Sequence, residues 1–265
     1  MNKKLKFRFS RKALAYPYMA FLILFVVVPL VMILINAFIT DGNKIGFDNF
    51  VEFFSDAGGG LTVLGNSLII GFVTTLLCLV IGYPVAYFLA KYHASNNVLV
   101  LMFILPMWVN FLIRTLSTKT IFLAMDLELG MGTVLFGMVY NYLPYMILPL
   151  YSTIVKINPR LIEAAEDLGC NSLQVFQRVT LPLSVPGILS GITMVFVPAV
   201  STFYISQKLG GTDTVLIGDV IERQFKQGNN PNLGAALSLV LMILVFVCTG
   251  IMNRFGADEE GGVIA

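Results

Sequence analysis

Charge is gathered in clusters along this chain, and the gaps between the clusters constrain its fold. Six windows carry no Asp, Glu, Lys, Arg or His: 13–40, 57–90, 94–113, 129–155, 179–207 and 227–253. Each supplies the roughly 20 apolar residues that a helix needs to cross a bilayer. Of the 265 residues, 12% are charged and 57% are hydrophobic, against about 25% charged in an average soluble domain. Packed as buried core helices, six such windows would leave no soluble surface. The sequence therefore predicts an all-α integral membrane protein with six transmembrane helices.

The N-terminus resembles a targeting signal at first sight. Lys3, Lys4, Lys6, Arg8, Arg11 and Lys12 precede a long apolar run. That run far exceeds a signal h-region of about 7–15 residues, and no small-residue cleavage site ends it before Asp41. It reads as an uncleaved first span with Pro29 inside it. The expected organisation is a basic N-terminus over 1–12, a membrane domain over 13–253 and a tail over 254–265. Within the membrane domain, one long polar loop covers about 156–182.

Basic residues set the orientation. An inside N-terminus gives the cytoplasm the six leading cations, Lys91, Lys156, Arg160, Arg178 and Arg254. Lys44, Arg114, Lys119, Lys208, Arg223 and Lys226 then fall outside. The excess of inner cations supports this choice, and it makes both termini cytoplasmic. A net charge of +2 follows from topology and gives no sign of nucleic-acid binding. Cys78, Cys170 and Cys248 lack metal-ligand spacing, and His93, the lone histidine, reads as a solvated loop residue. The sequence offers no P-loop, zincin or nucleophile-elbow motif, so we expect no catalytic residues, metal ligands or cofactor site on this chain.

The loop from Lys156 to Arg178 carries the most local information. Asn158 is a good N-cap, and Pro159 at the first helical position gives up only an amide that would be unpaired anyway. The predicted helix runs from Arg160 to Leu168, and Gly169 can close it in the left-handed conformation. Leu161, Ala164, Ala165 and Leu168 make a narrow apolar stripe, while Glu163 and Asp167 share an acidic face. A second helix is expected from Ser172, with Leu173, Phe176 and Val179 on one side. Pro182 and Pro186 then mark the turn into the fifth span. By helix chemistry alone, this is either a solvated hairpin or a docking element.

Glu163-Ala164-Ala165, three residues, Gly169, nine residues, then Val179 and Leu181-Pro182 resembles the EAA loop of bacterial ABC importer permeases. The family usually has Ile where this chain has Val179, a mild apolar exchange. Leu105-Pro106-Met107-Trp108-Val109-Asn110-Phe111-Leu112-Ile113-Arg114-Thr115 and Leu148-Pro149-Leu150-Tyr151-Ser152 are similar to stretches of spermidine/putrescine importers. So are Phe203-Tyr204-Ile205-Ser206, Leu209-Gly210-Gly211 and Leu216-Ile217-Gly218-Asp219-Val220-Ile221, which most resemble the first of that system's two permease subunits. The resemblance implies the type I ABC importer permease fold, with coupling helices between the fourth and fifth spans. Glu163, Ala164, Ala165, Asp167 and Gly169 would then contact a separate ATPase, which holds the ATP and magnesium. It also implies a heterodimer with a second permease, an ATPase dimer, an extracytoplasmic polyamine-binding protein and a bacterial cytoplasmic membrane location.

A polyamine path needs acceptors and aromatic faces. The six windows contain no acidic residue, so neither a tight mid-membrane carboxylate site nor an ion-pump mechanism is expected. The path candidates are Trp108, Asn110, Tyr140, Asn141, Ser201, Tyr204, Asp213, Asp219 and Glu222. Trp108 offers an ammonium a stacking face or serves as an interfacial anchor. Tyr140, with Tyr142 and Tyr145 beside it, either lines the path or packs against neighbours. Ser201, Tyr204 and Lys208 share one face of the fifth span, which Pro198 is expected to kink. Asp213, Asp219 and Glu222 either receive a cation at the outer mouth or are ordinary loop charges. The same fold could carry sulfate, molybdate or ferric ion. A channel or secondary carrier working without an ATPase is a further alternative, although it would have no use for a docking loop.

Overall fold

The computed structural model describes residues 15–40, 44–55, 60–91, 97–211, 214–226 and 230–262. The leading basic cluster, Asp41, Asp56, His93 and Asp213 lie outside these residues. The chain is helical almost throughout. It opens with α1 (Tyr16–Ala37), a short antiparallel ribbon of β1 (Ile39–Thr40) and β2 (Lys44–Ile45), and α2 (Asp48–Phe54). Next come α3 (Gly60–Lys91), α4 (Asn97–Trp108), α5 (Phe111–Ala124) and α6 (Met131–Ile154). A polar hairpin of α7 (Pro159–Asp167) and α8 (Ser172–Leu183) leads into α9 (Val185–Ser201). The chain ends in α10 (Tyr204–Leu209), α11 (Ile217–Lys226) and α12 (Pro231–Gly262).

Among the described residues, four helices are long and apolar enough to cross a membrane: α1, α3, α6 and the Pro231–Met252 part of α12. The α8–α9 pair makes a fifth candidate, bent by 63°. The third window, expected as one span over 94–113, is divided. Its helix stops at Trp108, and Asn110 starts a new one by accepting from the Leu112 amide at 2.8 Å. Pro106 lacks the amide that would hold the end of α4, and the Asn110 cap makes the restart favourable. The apolar part of the last helix, Pro231–Met252, lies inside the window expected for the sixth span. α12 itself runs on through Arg254 to Gly262.

The helices α3, α6 and α9 pack most extensively on one another. Cys78, Ala86, Met146, Leu150 and Val195 form their shared core. A second cluster of Ile70, Val134, Met138, Ile205, Leu209 and Leu216 holds α10 and the chain entering α11 against α3 and α6. α1 behaves differently. Only Ala37 at its end is buried, against Ala235, Ala236 and Leu239 of α12. Ile33 is half-buried beside it, and most of the other large apolar side chains face outward, as suits hydrocarbon. A π turn at Ile23–Val27 stands just ahead of Pro29 and absorbs the irregularity that the missing amide creates.

α9 approaches α6 closely because Gly187 has no side chain. A Cβ there would lie 2.7 Å from Thr153 Oγ1 and 3.0 Å from the Pro149 carbonyl oxygen. Overpacking of this kind costs about 1–3 kcal/mol. We predict that Gly187→Val will lower the unfolding temperature of the detergent-solubilised protein, with Gly187→Ala giving a smaller drop.

Candidate functional site

Two features at opposite ends of α9 make up the candidate site. The first is the polar hairpin. Asn158 caps α7 by accepting from the Arg160 amide, as the sequence predicts. Gly169 closes it with a φ of +83°, a left-handed value that glycine adopts without strain. The Gly169 amide donates to the Glu166 carbonyl and the Cys170 amide to the Ala165 carbonyl, which is the two-bond Schellman closure. One residue later Asn171 and Gln174 exchange reciprocal bonds and start α8.

These caps leave the hairpin rigid and its far side bare. Glu163, Ala164 and Asp167 are exposed and Ala165 is half-buried. Leu168 is 86% exposed, with Leu161 and Leu173 also open. The apolar stripe of α7 thus points away from the bundle. α8 also differs from expectation, since Leu173 does not join Phe176 on the packed side. The packed side is Val175, Phe176 and Thr180, with the Phe176 ring edge-on to Tyr83 and Tyr87 of α3. At the α8–α9 elbow, Ser184 donates to the Leu181 carbonyl. The Tyr83 hydroxyl, 2.8 Å from Ser184 Oγ, is left as the donor in that contact. One buried pair therefore ties the hairpin to the core.

The second feature lies where α9 ends. Thr202 is extended, and α10 starts two residues later. Beside this break a cavity of about 270 Å³ is lined by Phe111, Arg114, Asn141, Tyr142, Tyr145, Ser201 and Tyr204, among others. The Tyr142 hydroxyl donates to the Pro198 carbonyl at 3.3 Å, while Tyr204 meets Phe111 edge-on and has Lys208 5.7 Å above its ring. Asn141 donates to the Gly137 carbonyl at 2.8 Å, and its Oδ1 is buried without a partner. Arg114, expected at the outer end, is instead 6% exposed. Its Nε and Nη1 have no hydrogen-bond partner, and Tyr140 offers it a ring face at 5.7 Å. This cavity combines aromatic faces with one buried cation, and the Asn141 oxygen beside it is as enclosed as the Arg114 guanidinium.

A second cavity of about 520 Å³ shares Ser201 and Phe203 with the first and extends to Glu222, Phe225 and Lys226 of α11. Glu222 accepts from Gln207 at 2.6 Å and pairs with Lys226. These bonds lower its pKa from the usual carboxylate range. Asp219, expected as an outer-mouth carboxylate, is only 2% exposed. It accepts from the Leu216 amide at 2.8 Å and from Ser206 Oγ at 3.0 Å. Asp219 therefore fastens α11 to α10 and is closed to an arriving cation.

The structure thus brings Asn141, Ser201 and Tyr204 together at one cavity and sets Glu222 in the next. Tyr140 lies behind Arg114, in an adjoining cavity. Trp108, 83% exposed, and Asn110 line neither of the two linked cavities. Sequence reasoning missed the Thr202–Phe203 break and the place of Phe225 and Lys226. The adjacent polar pair Ser201-Thr202 within an apolar window was the available signal for the break.

The architecture has counterparts among solved structures. A subunit of a bacterial ABC transporter that imports the acidic polysaccharide alginate superposes with a TM-score of 0.74 at 17% identity, over 93% of this chain and 94% of that one. A subunit of the inward-facing methionine transporter MetNI gives 0.65 at 17% identity, over 75% and 95%. The fold is that of an ABC importer permease. The chain belongs to the family of binding-protein-dependent transport system inner membrane components, which it matches over residues 5–257. It is 38% identical to the spermidine/putrescine transport system permease protein PotB of Haemophilus influenzae, over 85% of this chain and 87% of that one. To the Escherichia coli K12 protein of the same name it is 39% identical, over 84% and 90%.

The burial of Asp219 generates a pH prediction. Burial raises its pKa, so the folded state holds the proton more tightly than the unfolded chain. That contribution to stability is complete below the ordinary carboxylate value and is lost as pH rises through the folded one. Asp219→Asn keeps an acceptor for Leu216 and should gain stability relative to wild type as pH rises through this window. Asp219→Ala leaves both donors unpaired and should cost about 1–3 kcal/mol. Thermal unfolding between acidic and neutral pH checks both.

Proposed function

We propose that this chain is one permease half of an ATP-driven polyamine importer in a bacterial cytoplasmic membrane. The carrying observation is the 38–39% identity, over most of the chain, to permeases named for spermidine/putrescine transport. In this reading the polypeptide crosses the membrane six times, with α4–α5 as the third crossing, and both termini are cytoplasmic. The hairpin is the ATPase-docking element. Glu163 and Asp167 offer anchors to basic groups, the two Ala residues permit close approach, and Leu161 and Leu168 supply apolar surface.

A second permease completes the pathway, an ATPase dimer binds ATP and magnesium, and an extracytoplasmic binding protein delivers the cargo. Closure of the ATPase dimer moves the hairpin, and the Tyr83–Ser184 contact carries that motion into α3 and α9. Nearly complete switching of the bundle requires the ATP-bound partner to prefer one state by about 5.5 kcal/mol. The rings of Tyr142, Tyr145 and Tyr204 suit an ammonium chain, and the nearby Arg114 keeps its stay short. Arg114 also favours a second reading, in which an anion such as sulfate or molybdate is the cargo. Relatedness to polyamine permeases and the aromatic lining weigh against it.

The test is uptake of labelled spermidine and putrescine by cells lacking this chain and its functional substitutes, before and after restoration. Restored uptake is the expected result, while uptake that stays absent with an inserted, assembled complex points to another cargo. Glu163→Lys should leave the protein inserted and reduce uptake to below about a tenth of wild type by reversing a docking charge. Normal uptake by that variant contradicts the role of the hairpin.

A further inference from the structure

Glu222 and Lys226 stand four residues apart on α11, and the lysine ammonium rests on Glu222 Oε1. The two ends are unequal. The Glu222 side chain is 18% exposed and that of Lys226 is 73% exposed. Gln207 of α10 donates to the other carboxylate oxygen, so the carboxylate is aimed from outside its own helix while the lysine is free to leave. Exposed pairs at this spacing are weak. The cavity beside them holds Ser201, Phe203, Phe225 and Phe246. Its volume of about 520 Å³ falls in the range of small-molecule sites, about 300–1,000 Å³. It shares Ser201 and Phe203 with the cavity lined by Asn141.

A lysine side chain is four methylenes ending in a primary ammonium, the same group as the aminobutyl end of putrescine or spermidine. We propose that Glu222 is the first acceptor for a cargo ammonium within this chain, and that Lys226 is its built-in stand-in, covering the carboxylate while the cavity is empty. The aromatic rings take the methylenes and the ammonium face, and Ser201 borders the cavity lined by Asn141. The lysine keeps the half-buried acid paired between cargoes and sets a threshold that a monovalent inorganic cation, lacking the alkyl chain, does not pass. This proposal rests on the polyamine reading above.

The test uses the complete transporter, with its second permease, ATPase and binding protein, reconstituted in vesicles and supplied with labelled putrescine. Lys226→Gln removes the competitor of a weak pair and should lower the half-saturating putrescine concentration about twofold. Glu222→Gln removes a charged acceptor and should cut uptake about tenfold, with assembly unchanged. Glu222→Asp, which keeps the charge, should retain most of the activity. The double variant should behave like Glu222→Gln, because the lysine acts only through the carboxylate. Equal impairment by Lys226→Gln and Glu222→Gln would make the pair a structural strut and overturn the proposal. So would wild-type uptake by Glu222→Gln. Absence of putrescine uptake by the wild-type complex would remove the polyamine reading and this proposal with it.

Discussion

A backbone amide or carbonyl left unpaired in hydrocarbon is so costly that a spanning helix breaks only where something else meets its polar groups. This chain interrupts its helices near Asn110, Ser184 and Thr202. Each break has its own compensation. Asn110 supplies a side-chain cap, Ser184 bonds back to Leu181 and faces Tyr83, and beside the Thr202 break the Tyr142 hydroxyl donates to the Pro198 carbonyl. The candidate functional surfaces of the molecule lie at or beside these three places.

The α8–α9 elbow and the α9–α10 break bracket one helix, and that helix packs on both α3 and α6. A push on the hairpin therefore has a rigid lever to act through. At one end stand the caps of α7 and the Tyr83–Ser184 contact. At the other, Asp219 fastens the start of α11 to Ser206 of α10, and Ser67 of α3 accepts from the Ile217 amide at 2.8 Å. In the proposed coupling, displacement of this helix would reshape the two adjoining cavities at its end.

Local chemistry made much of this readable from the residues. Asn158, Pro159 and Gly169 announce a helix by their own conformational preferences, and the structure keeps all three roles. Long uncharged runs likewise revealed α1, α3, α6 and α12, because their apolarity does not depend on a partner. What stayed hidden depends on tertiary contact. Asp219 looks like a loop charge until Ser206 and the Leu216 amide enclose it. Leu173 looks like a packing residue until Phe176 takes the face against Tyr83 and Tyr87. Arg114 sits at the edge of an uncharged window, and only the restart of the helix at Phe111 carries it into the bundle.

In the proposed function, cargo passes the cavity at the break after Ser201. Labelling of a single cysteine by a membrane-impermeant thiol reagent tests it most directly, in an assembled transporter with Cys78, Cys170 and Cys248 replaced. Ser201→Cys should react readily and be protected while putrescine is being transported. Ile69→Cys, on the outward apolar face of α3, should stay unreactive. Equal inertness at both positions would place the break in lipid or sealed protein and contradict the account.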